Sequence, residues 1–121
     1  MSQMTQPQHG SIARRSQRIS CSVPIIVYSQ ANDGPRFSEQ THTLVVNAHG
    51  ALIPLNTSVA PGQRLVLRNT LNGEQQECRV VYLSKKWVGM RETGIAFTRP
   101  APDFWTLAFP PDDWNRLRHQ G

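Results

Sequence analysis

Residues 64–84 read RLVLRNTLNGEQQECRVVYLS, and this stretch decides the fold class. Short runs of branched aliphatic side chains flank Leu71-Asn72-Gly73-Glu74. Asn-Gly readily turns one strand back on the next, because both residues accept the left-handed backbone of a tight hairpin. The spacing predicts strands over 64–70 and 75–84 joined by a two-residue turn. The same texture repeats outward from this hairpin. Downstream, residues 93–98 form a strand with Ile95 and Phe97 on one face, reached through a basic, glycine-containing loop over 85–92. Upstream, Pro61-Gly62 marks the loop before the hairpin, and 51–55 and 39–46 read as two further strands. Residues 19–28 supply the first, with Ile19, Cys21, Val23, Ile25 and Val27 at a period of two on one face. Pro24 lacks an N–H to give to a neighbour, so it places an edge or a bulge in that strand. The turn Asn32-Asp33-Gly34-Pro35 leads from the first strand to the second.

Six short strands bounded by turn residues predict an all-β fold, a six-stranded antiparallel β-barrel, closed by a short C-terminal helical segment. That segment begins after Pro110 and Pro111. Asp112-Asp113 sits at its positive end and Arg116 and Arg118 at its negative end. Phe104, Trp105, Phe109 and Trp114 place four aromatic side chains within eleven residues. A free tail would not carry that many, so 101–121 is expected to pack on the barrel. Residues 1–11, MSQMTQPQHGS, contain no periodic apolar positions and read as a disordered tail. The barrel with its N-terminal arm occupies 12–100.

A chain of 121 residues with 38% hydrophobic content has room for one compact core and no second domain. Cys21 and Cys78 show no Cys-x-x-Cys spacing, and no signal peptide precedes them, so a reduced, cytoplasmic setting is expected. Apolar runs stop at six residues, too short for a transmembrane segment. The acids are scattered apart from Asp112-Asp113, and the histidines match no zinc spacing. The residues therefore offer no catalytic constellation, no metal site and no cofactor.

Thirteen Lys and Arg against eight Asp and Glu leave a net charge of +5, and eleven of those thirteen cations are arginine. Guanidinium is a planar fork that grips phosphate, or the guanine O6/N7 edge, in two parallel bonds. Arg14-Arg15-Ser16-Gln17-Arg18 concentrates three such groups at the junction of the tail and the first strand. No acid precedes Asp33. A second feature is the polar elbow Asn47-Ala48-His49-Gly50, which interrupts the apolar run 44–52. Gly50 is expected there to supply a positive φ, and Asn47 can close an Asx-turn on its own backbone.

The arm and the elbow together resemble the signature of the PilZ domains, bacterial receptors for cyclic di-GMP. That signature is an R-x-x-x-R arm ahead of the first strand, followed by a D/N-x-S-x-x-G elbow within the sheet. Arg14 and Arg18 match the arm. Aligning Gly50 with the final glycine sets Asn47 on the serine position and Val45 on the acidic one, so the second motif is degenerate. The likeness spans residues 14–97. It implies a barrel that binds cyclic di-GMP through Arg14, Arg15, Arg18, Asn47, His49 and Gly50, orders its arm around the ligand, and signals to a downstream protein partner. Val45 offers no acceptor to guanine N1–H and N2–H, and an unpaired donor costs about 1–3 kcal/mol, or roughly 5- to 150-fold in affinity.

Two other classes compete. A barrel that has lost its ligand would serve as a protein-interaction adaptor, with the aromatics of 104–114 exposed as its docking surface. A small nucleic-acid-binding barrel would use the positive charge and stacked aromatics. The strands before residue 82 carry only Tyr28 and Phe37, so such a platform is poorly supplied and no nucleic-acid partner is expected.

Overall fold

The computed structural model describes residues 17–86, 88–107 and 110–114. Arg14, Arg15, the tail over 1–11, Phe109 and the positions beyond 114 where a helix is expected lie outside the described residues. Eight strands form one antiparallel sheet: β1 (Ile19–Ser20), β2 (Pro24–Ser29), β3 (Ser38–His42), β4 (Val45–Asn47), β5 (Gly50–Leu55), β6 (Arg64–Asn69), β7 (Gln75–Leu83) and β8 (Arg91–Phe97). Their order across the sheet is β1-β4-β5-β8-β7-β6-β2-β3. The sheet curls into a half-barrel, bringing β3 up against the end of β5. There the Thr41 hydroxyl donates to the Pro54 carbonyl at 2.7 Å, and the Glu39 carboxylate accepts from the Asn56 and Thr57 amides.

Eight strands replace the expected six because the first two are each broken once, at the same level. Ile19 pairs with Val46 and Ser20 with Val45, whereas Pro24 pairs with His42 and Ile25 with Thr41. The pairing therefore slips by one residue across Cys21–Val23, a bulge in the N-terminal chain. Thr43 holds it together: its hydroxyl accepts from the Val23 amide at 2.8 Å and donates to the Cys21 carbonyl at 2.6 Å. Pro24, which has no N–H, falls at the exit of the bulge. Its carbonyl accepts from the Thr70 amide at 3.1 Å.

The β6–β7 hairpin is present, but its loop has four residues rather than two. The Asn69 amide donates to the Glu74 carbonyl and the Gly73 amide to the Asn69 carbonyl, with Gly73 at φ 77°. Asn69 causes the lengthening. It is fully buried, its side-chain oxygen accepts from the Leu71 amide, and its amide group donates to the Phe104 carbonyl at 2.6 Å.

The core follows the two-residue period. Val27 faces Leu67, Leu65 faces Cys78, and Cys78 and Val80 face Phe97 and Ile95; all are buried. Burial pushes the Cys78 thiol up to about 12. The C-terminal segment plugs the end of the half-barrel nearest the elbow. Phe104, Trp105 and Trp114 are buried. Phe97, Phe104 and Trp105 pack with ring centroids 4.8–5.6 Å apart, in pairings worth about 0.5–1.5 kcal/mol each beyond their burial. Phe104, Trp105 and Trp114 therefore belong to the core and are closed to the docking role an adaptor would give them.

Candidate nucleotide-binding face

The arm enters the fold at Gln17, which is held from the far end of the chain. The Gln17 amide donates to the Asp113 carboxylate at 2.9 Å, and its carbonyl accepts from the Trp114 indole N–H at 3.1 Å. Immediately after it, Ile19 pairs with Val46. Arg18 is thus clamped between a side-chain anchor and a strand, and the register carries it alongside Asn47.

From Asn47 a cross-strand row runs over the outer face of the sheet. Asn47 pairs with Gly50, Gly50 with Ala96, Ala96 with Arg79 and Arg79 with Arg64. Ile95 and Phe97 point into the core, so alternation turns Ala96 outward. Three strand spacings of about 4.8 Å separate Asn47 from Arg79, a span of roughly 14 Å. Between them Gly50 and Ala96 carry no more than a methyl group. The result is a strip of small residues, buried at Gly50 and half-buried at Ala96, between Arg18 and Asn47 on one side and Arg79 on the other.

Gly50 serves this strip in a way the sequence reading did not anticipate. It has no positive φ; among the described residues the positive-φ glycines are Gly34, Gly62, Gly73 and Gly89. A Cβ at position 50 would collide with the Ile95 carbonyl oxygen and come within 3.1 Å of the Ala96 Cα. Glycine is required because β5 and β8 approach too closely for any side chain.

Asn47 closes the Asx-turn: its side-chain oxygen accepts from the His49 amide at 2.8 Å. Its main-chain carbonyl accepts from the Trp105 indole at 2.9 Å, and the residue is only 7% exposed. His49 is half-buried, with its carbonyl accepting from the Phe97 amide at 2.7 Å. Val45 lies one row away, paired with Ser20 and Leu52, and brings no acceptor. Of the six site residues expected from sequence, Arg18, Asn47, His49 and Gly50 come together at this end of the sheet, while Arg14 and Arg15 lie outside the described residues.

Arg79 is the member that sequence reasoning missed. No local pattern marks it, because it enters the row only through the pairing of β7 with β8. Its neighbour Arg64 is taken up by Asp33, with Nε 3.3 Å and the backbone amide 2.7 Å from the carboxylate. The Arg64 amide, and then its guanidinium, hold the Asp33 carboxyl below its ordinary range. Arg79 has no ion pair among the described residues, although Glu77 lies two residues along the same face. Among the described residues no three His, Cys, Asp or Glu side chains gather to hold a metal, and no helix is long and apolar enough to cross a membrane.

No protein-family model matches the sequence, and no curated protein aligns with it. Solved structures do share its architecture. The PilZ domain of CeSA from a cellulose-synthesizing bacterium superposes with a TM-score of 0.50 at 17% identity, over 69% of this chain and 81% of that one. The Bacillus subtilis inhibitor of motility, MotI/DgrA, superposes with a TM-score of 0.58 at 16% identity, over 88% of this chain. The present chain spans about half the length of that inhibitor. The fold is therefore PilZ-like, as the arm and elbow imply.

Proposed function

We propose that this PilZ-like barrel is a cytoplasmic, non-enzymatic receptor for cyclic di-GMP, bound on the strip between Asn47 and Arg79. The observation that carries this reading is the row itself, with Arg18 and Asn47 on one side of small residues and, on the other, Arg79, which has no ion pair among the described residues. A planar guanine packs over the half-exposed Ala96, beside the buried Gly50. Arg14, Arg15 and Arg18 close on phosphate and the guanine edge from the arm, and Arg79 meets the opposite phosphate. Ordering of the arm then presents a new rigid surface to a protein partner, a disorder-to-order switch.

The test is calorimetric titration with cyclic di-GMP at low and moderate salt, with GTP as the control. Arg14→Ala/Arg18→Ala is expected to abolish dinucleotide-selective heat. Arg79→Ala is expected to weaken it about tenfold, as loss of one hydrogen bond to a charged group does. Hydrogen exchange at the N-terminal amides should slow on ligand binding, and equal exchange with and without saturating nucleotide would sink the arm switch. One observation favours a second reading, a protein-interaction adaptor without ligand. Val45 has no acceptor, and the Asn47 side-chain oxygen is already committed to the His49 amide. Absence of heat at high protein concentration would select it, and the partner would then have to dock elsewhere than on the buried aromatics.

A further inference from the structure

Among the described residues five large apolar side chains stand out in solvent, and four of them, Val81, Tyr82, Val88 and Met90, belong to the single hairpin β7–β8. The fifth, Leu71, is at the opposite end of the sheet. Val88 is 83% exposed. It also holds φ 51°, followed by Gly89 at φ 79°. A turn facing water takes Asn, Asp or Gly at such positions. A β-branched residue there is an outlier, so water alone gives no reason for its place.

The charges at this tip are positive, with the exposed Glu92 the nearest acid, at the hairpin closure. Lys85, Lys86 and Arg91 are exposed, and no acid lies between Ser84 and Arg91. In a chain whose other cations are all arginine, Lys85 and Lys86 are the two lysines it contains. The hairpin is closed below them by the Ser84 amide donating to the Glu92 carbonyl and the Glu92 amide donating to the Ser84 hydroxyl, both at 2.9 Å. Above that closure the tip projects by no more than about 10 Å, at ~3.4 Å per residue. Tyr82 and Val81 sit just beneath, where a bulge turns them outward.

We infer that the β7–β8 hairpin is a membrane-surface anchor that docks the barrel on an anionic lipid bilayer. The residues stand in the order a bilayer interface requires. Val88 and Met90 enter the acyl boundary, the lysine and arginine stems extend to anionic headgroups, and the Tyr82 ring lies at headgroup level. A protein partner of ordinary affinity covers about 800 Å² of each surface, a broad face that the end of one hairpin does not offer. Arg91 pairs with Leu55 and Ala96 with Gly50. The nucleotide-binding strip therefore begins about 17 Å further along β8, at ~3.4 Å per residue, and stays clear of the membrane.

The test is co-sedimentation of the full chain with phosphatidylcholine vesicles, with and without phosphatidylglycerol. The chain is expected to pellet with the anionic vesicles and less so as salt rises. Val88→Asp/Met90→Asp should reduce the bound fraction at least tenfold, and Lys85→Ala/Lys86→Ala about fivefold per lysine. Leu71→Asp should leave it unchanged, and every variant should keep the wild-type unfolding midpoint because these side chains are exposed. The inference is overturned by pelleting no greater with phosphatidylglycerol than without. It is overturned equally if Arg14→Ala/Arg18→Ala abolishes binding while the tip variants retain it, or if the tip docks on a protein with no affinity for vesicles.

Discussion

Replacing Gly50 with alanine tests whether the elbow glycine is there for closeness or for backbone handedness. The new Cβ meets the Ile95 carbonyl oxygen, with the Ile95 carbonyl carbon at 3.0 Å and the Ala96 Cα at 3.1 Å. All three are main-chain atoms, so no rotamer change relieves the contact and β5 must part from β8. Overpacking of this kind costs about 1–3 kcal/mol. Parting the strands also strains the neighbouring bond from the Phe97 amide to the His49 carbonyl, adding about 1 kcal/mol. The expected loss is therefore about 2–4 kcal/mol, a fall in Tm of roughly 8–16 °C for a domain of this size. Gly62 is the internal control: it sits at φ 83° with nothing within 4 Å of the added carbon. Gly62→Ala should thus cost only the left-handed penalty of about 1–2 kcal/mol. Urea unfolding of the three proteins, followed by tryptophan emission from the buried Trp105 and Trp114, measures both losses. A Gly50→Ala protein no less stable than Gly62→Ala would refute the close-approach argument and return the glycine to a conformational role.

Two further predictions concern the interior. Thr43→Val keeps the shape of the side chain but leaves the Val23 amide and the Cys21 carbonyl unpaired at the bulge; a loss of about 2–3 kcal/mol is expected, read as a lower urea midpoint at unchanged slope. The Cys78 thiol, raised from 9.0 to about 12 by burial, keeps its proton in the folded chain where the unfolded chain releases it. Its contribution to stability is thus complete below pH 9 and is lost as pH rises from 9 toward 12, by at most about 1.4 kcal/mol per pH unit. The stability gap between wild type and Cys78→Ala should narrow above pH 9, and a gap that stays constant would contradict the burial argument.

Strand content and facing were legible because they depend on neighbours along the chain. Ile19, Cys21, Val23, Ile25 and Val27 alternate as side chains on a pleated strand must, and all five line or abut the core. The turn residues Asn32, Gly34 and Gly73 take the positive φ that their types permit. The number of strands was not legible. Pro24 signals an irregularity within 19–28, but the full break at Cys21–Val23 depends on the hydroxyl of Thr43, twenty residues beyond Val23. The four-residue β6–β7 loop has the same origin, since Asn69 is drawn inward by the Phe104 carbonyl.

The candidate site divides along the same line. Side chains with phosphate- and guanine-binding chemistry, the arginines at 14, 15 and 18, are legible along the chain, together with the elbow that breaks the strand at 47–50. The aromatics concentrated at 104–114 also pointed to packing on the barrel, because that much apolar surface is costly to leave in water, and the structure buries Phe104, Trp105 and Trp114. That Gln17 is pinned by Asp113 and Trp114, and that Gly50 must be bare to let β8 pass, emerges from the folded sheet. It alone brings Arg79 into line with Asn47. Each of these is set by strand register and by contacts between residues far apart in the chain. A row across a sheet is a property of pairing, and pairing is settled by how the whole core packs.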